Sequence, residues 1–244
     1  MFQLTTDNGL ARLQLQRPEA CNAIPLDGWK KLERLFDQVQ REGARLLILS
    51  GGPQAFCAGA DLGDFPLLMA DAEAASRFRI DMRDACLALR DLPIPTVALI
   101  EGPCFGAGAA LAMACDLRIA GEGVSFAITP AKFGISYPQE DIARLVSLVG
   151  PGQASRLLFG AGVIDASEAL RIGLVEIGPP ANANAAADAF SQAVLANSAG
   201  SLETLKRGLA LAISGTSSDE EQDRRFDSLF SGEALRQRLP VRAS

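Results

Sequence analysis

The chain has 244 residues, of which 48% are hydrophobic, enough to bury a substantial core as one domain. Its formal net charge of −6 argues against nucleic acid or an anionic membrane surface as its main partner. The chain contains no histidine, so Ser-His-Asp and Cys-His nucleophiles and most catalytic zinc sites are excluded for lack of an imidazole.

The five cysteines are odd in number, widely spaced and never in a C-x-x-C arrangement. This pattern predicts neither a disulfide framework nor a metal site, and it fits a reducing compartment. The segment "MFQLTTDNGL" lacks the basic and apolar regions of a secretion signal, and no stretch has the apolar length of a membrane span. We therefore expect a cytoplasmic protein.

The first predicted elements are a hairpin and a helix. "FQLTTDNGLARLQLQRP" alternates apolar and polar residues around Asn8-Gly9, which predicts two edge strands joined by a two-residue turn. "PLDGWKKLERLFDQVQREG" has apolar residues at helical spacing and predicts a helix from near Pro25 to Gly43 with one buried stripe.

Strands and helices then alternate. "RLLILSGG" and "PTVALIEG" are short apolar runs closed by glycine and predict buried strands, with the amphipathic helix "DAEAASRFRIDMRDACLALRDL" between them. A third strand, "CDLRIAG", follows the small-residue helix "GAGAALAMA". The repetition predicts an α/β fold of stacked units.

The C-terminal third is expected to be helical, without strands beyond Gly150. In "DASEALRIGL", Asp165 and Glu168 form a capping-box pattern, and the Ala-rich segments that follow have helical character. We predict a core over residues 1–190 and a helical region over 191–244 that caps the core or reaches across an oligomer.

Two glycine-rich turns stand out, "AFCAGADL" and "EGPCFGAGAAL", because each joins a predicted strand to a helix. Their N–H groups could point into one cleft and, with a helix dipole, stabilise an oxyanion. Alternatively, Gly106 and Gly108 merely permit close helix packing. A dinucleotide site is disfavoured because "GAGAAL" lacks the third small residue of G-x-G-x-x-G/A, and no P-loop motif exists.

Taken together, the motifs resemble a known family. "RPEACNAI", "FCAGADL" and "EGPCFGAGAALAMACDLRIA", in this order, resemble the crotonase superfamily, the enoyl-CoA hydratase/isomerase family. The resemblance continues through "FAITPAKFGISYP", "GPGQASRLLFGAGVIDASEALRIGLVE" and "LFSGEALRQRLP" and covers essentially the whole chain.

The resemblance implies a spiral of ββα units with a helical C-terminal trimerisation region, a homotrimer or hexamer, and an acyl-CoA substrate of fatty acid metabolism. Coenzyme A would come as part of the substrate, without another cofactor. By position, the N–H groups of Ala60 and Ala107 would bind the thioester oxygen. The expected substrate-binding residues are Arg17, Ala23, Ala58, Gly59, Asp61, Leu62 and Gly106.

The sequence departs from the hydratases of this superfamily at two positions. Ala110 and Pro130 stand where the hydratases have two glutamates around the attacking water. Because neither carboxylate is present to deprotonate water, we expect isomerase-like or decarboxylase-like chemistry rather than hydration.

Two other residues are candidates for proton transfer. "TPAKFGISY" resembles the segment of a superfamily member that decarboxylates methylmalonyl-CoA, which makes Tyr137 a catalytic candidate; alternatively, its ring only anchors the turn. Glu140 could act as a general base for allylic proton transfer, or, like Asp141, only interact with a helix dipole. Asp61 and Asp64 are expected to cap the following helix. We expect Cys57 and Cys104 to be packing residues.

Three functional hypotheses follow. The first is a crotonase-type lyase or isomerase that stabilises a thioester enolate. The second is a thioester hydrolase that directs water to the polarised carbonyl. The third is an acyl-CoA-binding protein without turnover, which the loss of both hydratase carboxylates favours.

Overall fold

The computed structural model describes residues 1–239. Its strands are β1 (Phe2–Asp7), β2 (Leu10–Leu15), β3 (Leu46–Ser50), β4 (Thr96–Ile100), β5 (Cys104–Phe105), β6 (Leu117–Ala120), β7 (Ser125–Ala127) and β8 (Ile164–Asp165). Its α-helices are α1 (Leu26–Arg41), α2 (Phe65–Ala70), α3 (Ala72–Arg90), α4 (Ala107–Ala114), α5 (Gln139–Gly160), α6 (Ala166–Arg171), α7 (Ala183–Ala196), α8 (Ala199–Ile213), α9 (Glu220–Ser231) and α10 (Glu233–Arg238).

Five strands form the larger sheet in the order β1-β2-β3-β4-β6, in which only β1 and β2 are antiparallel. The predicted hairpin is confirmed: Asn8 and Gly9 have φ angles of 49° and 82°, as a two-residue turn of type I′ requires. The prediction that both of its strands are edge strands is wrong for β2, which pairs in parallel with β3 on its other side.

Helices cover both faces of this sheet. Along β3, Leu47 and Leu49 belong to a core shared with α1, α3 and α4, whereas Leu46 and Ile48 pack in a second cluster with residues of α7. Side chains of successive strand residues point to opposite faces, so a strand between two helical layers must be apolar at every position. This explains the continuous apolar run that predicted β3.

The parallel pair β3 and β4 positions the two glycine-rich turns. Ile48 pairs with Val97 and Leu49 with Ala98, so both strands end at the same edge of the sheet. The chain leaves this edge twice, once through residues 51–61 and once through residues 101–106. Neighbouring parallel strands thereby bring two distant turns together, as at the ligand-binding edge of other parallel sheets.

A second, three-stranded sheet has the order β5-β7-β8. The prediction that strands stop at Gly150 is wrong, because β8 lies at residues 164–165 and pairs antiparallel with β7. Strands of two or three residues are too short to show an alternating pattern, so β5 and β7 were missed as well. The predicted cap is confirmed: the Asp165 side chain accepts a hydrogen bond from Glu168 N at the start of α6.

The last helices are α7 to α10, and residue 190, the end of the predicted core, falls inside α7. The predicted helical region extends to residue 244, but residues 240–244 lie outside the described part of the chain. Helix α5 is interrupted at Gly150, whose φ of 73° and ψ of 164° are not helical and which precedes Pro151. None of the helices in residues 1–239 has the length and apolarity needed to cross a membrane.

Candidate acyl-thioester site

The two glycine-rich turns touch through their backbones. Phe105 N donates to Cys57 O at 2.9 Å, and Cys57 forms a parallel bridge with Cys104. Gly59 has a φ of 104°, and a Cβ built on it would lie 2.9 Å from Phe105 O and 3.0 Å from Ala107 N. A Cβ on Gly108 would lie 2.3 Å from Cys57 O. The small residues are therefore required, at least in part, by the contact between the turns themselves.

This contact brings two free N–H groups together. Ala107 is the first residue of α4, so its N–H has no acceptor within the helix. In the parallel bridge between Ile24 and Ala60, Ile24 bonds to Gly59 O and Asp61 N, which leaves the N–H of Ala60 pointing away from Ile24. Among residues 1–239, no atom accepts a hydrogen bond from either N–H.

Both alanines line one cleft that opens to solvent. Its wall is mainly apolar, and its polar side chains are the hydroxyls of Thr129, Ser136 and Tyr137. Within the described part of the chain, no charged side chain lines it. The lining residues are Ala58, Ala60, Leu62, Phe65, Phe78, Met82, Gly106, Ala107, Thr129, Pro130, Phe133, Ile135, Ser136, Tyr137 and Pro138.

Tyr137 connects the cleft wall to the second turn. Its hydroxyl donates a hydrogen bond to Gly106 O at 2.7 Å, and Ala109 N and Ala110 N donate to the same oxygen. That oxygen belongs to the peptide group whose N–H is the N–H of Ala107. Burial, and next to it the charge of Asp141, raises the pKa of Tyr137 well above its ordinary value, so the phenol keeps its proton at neutral pH.

The orientation of the Gly106–Ala107 peptide group depends on the backbone conformation of Gly106. Its φ of 50° and ψ of −123° lie in a region that residues with a side chain rarely adopt. Gly106 N also donates to Ala127 O at 2.9 Å, so the residue is held from both sides. A glycine at this position is required by backbone geometry.

The predicted substrate-binding residues fall into two groups. Ala58, Leu62 and Gly106 line the cleft together with Ala60 and Ala107, and Gly59 lies between two of them. Arg17, Ala23 and Asp61 do not line the cleft.

Instead, these three residues are hydrogen-bonded to one another next to the first turn. The guanidinium of Arg17 donates to Asp61 Oδ2 and to Ala23 O, and the bond from Arg17 lowers the pKa of Asp61. Asp61 also accepts from Gly63 N, as predicted for a cap. Asp64 accepts from Leu26 N rather than capping α2, so its predicted role as the cap of that helix is wrong.

The other sequence candidates occupy distinct places. Pro130 lines the cleft, whereas Ala110 lines a neighbouring one. Cys57 and Cys104 are fully buried, and desolvation raises their thiol pKa values, to about 12 for Cys57, so the packing role predicted for them is confirmed. Glu140 is exposed and lines the neighbouring cleft, not the one with the free N–H groups.

For Asp141 the sequence analysis expected only an interaction with the helix dipole, whereas the structure buries this carboxyl group at the neighbouring cleft. Asp141 is only 9% exposed, and desolvation, followed by the charge of Glu140, raises its pKa from 3.8 to about 7. Its position could have been found from helical spacing. The buried residues Leu145 and Val149 of α5 lie four apart, and the same spacing carried backwards within the helix reaches Asp141.

The fold and the cleft together define a protein of the crotonase superfamily. A family model described as Enoyl-CoA hydratase/isomerase matches residues 5–234. The chain therefore belongs to the enoyl-CoA hydratase/isomerase family, as the sequence motifs indicate, and its crotonase-type α/β fold is confirmed. Within the described residues, no three His, Cys, Asp or Glu side chains lie together as a metal ion would need.

Individual relatives agree with this assignment. The chain is 36% identical over 206 residues to the probable enoyl-CoA hydratase echA17 of Mycobacterium avium, covering 83% of this chain and 79% of the relative. A provisionally assigned family member from Hyphomonas neptunium superposes with a TM-score of 0.91 at 33% identity, over 96% of this chain and 91% of its own. A provisionally named enoyl-CoA hydratase from Thermobifida fusca, in complex with CoA, superposes with a TM-score of 0.81 at 28% identity, over 97% of this chain and 93% of its own.

Proposed function

We propose that this protein binds an acyl-CoA thioester in the cleft between the two glycine-rich turns and stabilises its enolate. The N–H groups of Ala60 and Ala107 form the oxyanion hole, and coenzyme A enters as part of the substrate without a further cofactor. The observation that carries the proposal is the convergence of these two otherwise unbonded N–H groups on one apolar cleft. In such surroundings each donor is worth more to a developing oxyanion than it would be in water.

The reaction is isomerisation or decarboxylation rather than hydration, although the relatives are named hydratases. Hydration needs a base that orients and deprotonates water, and the cleft wall offers only neutral hydroxyls. Decarboxylation of a malonyl-type thioester needs no base, because loss of CO₂ itself leaves the electron pair of the enolate. Isomerisation needs one proton-transfer group at the acyl chain.

Tyr137 acts in this scheme by holding the Gly106–Ala107 peptide. Its hydroxyl hydrogen is already donated to Gly106 O, so it holds the peptide group that carries the Ala107 N–H at the wall of the cleft. Tyr137 is thus a positioning residue, and direct proton transfer by its hydroxyl is the alternative that mutation separates from it.

The helical C-terminal region supports a proposal about assembly as a homotrimer or hexamer. Leu205, Leu209 and Ile213 of α8 are each more than 60% exposed and lie four residues apart, which places them on one helix face. Phe226 and Phe230 of α9 are exposed to a similar degree. An apolar stripe of this kind is typical of a surface that another copy covers.

The function is tested with a panel of thioesters, namely crotonyl-CoA, 3-hexenoyl-CoA and methylmalonyl-CoA, with products identified by mass spectrometry. We expect conversion of one of the last two and little or no 3-hydroxybutyryl-CoA. Robust hydration of crotonyl-CoA would contradict the proposal. Binding of all three without any turnover would favour a non-catalytic acyl-CoA-binding protein, and release of free CoA would favour a hydrolase.

The oxyanion hole is tested by Ala107→Pro, which removes one N–H donor at a helix position that accepts proline. We expect kcat to fall by about 10²- to 10³-fold, the usual cost of one such donor. Ala199→Pro is the matched control, because Ala199 is the exposed first residue of α8 and does not line the cleft. Full activity of Ala107→Pro with an intact fold would refute the assignment.

A further inference from the structure

A second cleft lies next to the first, and residues of α3 and α4 line both clefts. It opens to solvent and shares Pro138 with the first cleft. On α3, Met82 lines the first cleft and Cys86 the second; on α4, Ala107 lines the first and Ala110 the second. Residues three or four apart share one helix face, so the second cleft continues the first by about one helical turn.

The second cleft contains a buried carboxyl group without a partner. Asp141 lines it, is nine-tenths buried, and has no side-chain hydrogen bond or ion pair to any residue in the range 1–239. An unpaired buried carboxylate costs stability, and packing does not require one at this position. A buried carboxyl group without a partner therefore points to a role in the chemistry of the site.

The charged groups around Asp141 leave it unpaired. On α3, Arg83 and Arg90 bond to their own neighbours, Asp84 and Asp91. Arg144, on α5 itself, donates to Met113 O and Cys115 O. The remaining titratable groups that face Asp141 are Cys86, Tyr137 and Glu140, and α4 contributes only Ala110 and Ala114 to this cleft.

We propose that Asp141 is the catalytic proton-transfer residue of this protein and that the acyl chain runs from the N–H groups of Ala60 and Ala107, past Ala110, into the second cleft. The small side chain of Ala110 leaves the space through which the carboxyl group of the facing helix reaches the acyl chain. This inference rests on the proposed function, and within it selects isomerisation over decarboxylation.

The proposed step conserves atoms and electrons on a 3-enoyl thioester. The Asp141 carboxylate takes a proton from Cα, the C–H pair forms a double bond between the carbonyl carbon and Cα, and the carbonyl π pair moves onto the oxygen held by Ala60 and Ala107. The carbonyl then re-forms, the pair between the carbonyl carbon and Cα becomes the Cα=Cβ bond, and the former Cβ=Cγ pair takes a proton from the carboxyl group at Cγ. The carboxylate is regenerated, and no oxidant, reductant or water is consumed.

The acidity of Asp141 suits this exchange. Burial and the charge of Glu140 raise its pKa to about 7, so both protonation states are populated near neutral pH. Because the carboxylate is the form that begins the reaction, the rate should rise with pH through about 7 and then level off.

The experiment follows deuterium uptake from D₂O into 3-hexenoyl-CoA, together with its conversion to 2-hexenoyl-CoA, by mass spectrometry. We expect Asp141→Asn to lower both rates by roughly a hundredfold or more, the range for loss of a general acid-base group, while binding of 3-hexenoyl-CoA is kept. Asp37→Asn is the matched control, because Asp37 is an exposed carboxylate on α1 that lines neither cleft, and this change should alter the rates less than about twofold.

The outcomes separate this inference from the proposed function. Deuterium uptake that survives in Asp141→Asn but is lost in Ala107→Pro would overturn the role of Asp141 and leave the oxyanion hole intact. If the wild-type protein binds 3-hexenoyl-CoA with neither uptake nor conversion but decarboxylates methylmalonyl-CoA, the inference is overturned and the proposed function stands; if it does none of these, both are overturned. If Asp141→Asn does not fold, the wild-type pH profile decides: a rate independent of pH between 5 and 9 would overturn the inference.

Discussion

Replacing Tyr137 by Phe tests whether its hydroxyl holds the oxyanion hole or transfers a proton itself. The ring is 7% exposed and keeps its packing, while the 2.7 Å bond to Gly106 O is lost. Gly106 O retains its bonds from Ala109 N and Ala110 N, so no buried acceptor is left unpaired. A neutral hydrogen bond of this kind contributes about 0.5–1.5 kcal/mol. If all of it is lost at the transition state, the rate falls by about 2- to 12-fold.

The assay compares kcat and KM for the substrate found in the panel, together with the melting temperature. A positioning role also predicts a smaller low-frequency shift of the thioester carbonyl stretch in bound, isotope-labelled 3-hexenoyl-CoA, which a purely structural role would not change. We expect KM to stay nearly constant. A loss of a hundredfold or more, with an unchanged carbonyl shift and melting temperature, would refute the positioning role and indicate direct proton transfer.

Three further predictions concern stability and assembly. Gly106→Ala should lower the free energy of unfolding by about 1–3 kcal/mol in chemical denaturation, because alanine is strained at a φ of 50° and ψ of −123°; no loss would contradict the reported backbone. Leu209→Glu should shift a trimer or hexamer towards monomer in light scattering, and a wild-type monomer would contradict the assembly. Asp141→Asn should stabilise the fold more at pH 8 than at pH 4. The raised pKa of Asp141 means that folding loses stability as pH rises from its ordinary value of 3.8 through about 7, so equal stabilisation at both pH values would contradict it.

The elements that could be predicted are those whose pattern is local. The turn at Asn8-Gly9 is specified by two residues, and β3 by an apolar run that is buried on both faces. The short strands β5 and β8 contain two residues each, and their pairing depends on β7, which is itself only three residues long. No periodicity can be read from so few positions, so only tertiary contacts define this sheet.

The candidate site could be predicted in part, because the glycine-rich turns carry a recognisable pattern and end parallel strands. The sequence pattern could not show which of the small residues are required by contact between the two turns. A Cβ on Gly108 would lie 2.3 Å from Cys57 O, a constraint that arises only when both turns are in place. Similarly, the positions of Arg17 and Asp61 in the motifs predict ligand binding, but the two side chains form an ion pair with each other and do not line the cleft.

Glu140 and Asp141 show why neighbouring acidic residues can have opposite environments. Successive residues of a helix are rotated by about 100°, so the start of α5 can direct only one of the two towards α4. The choice is made by the apolar face of α5, because the buried residues Leu145 and Val149 lie four and eight residues after Asp141. If Asp141 transfers the proton, the base is placed by the packing of α5 and the oxyanion donor by the bond from Tyr137 to Gly106 O, so Tyr137→Phe and Asp141→Asn perturb two separate parts of one site.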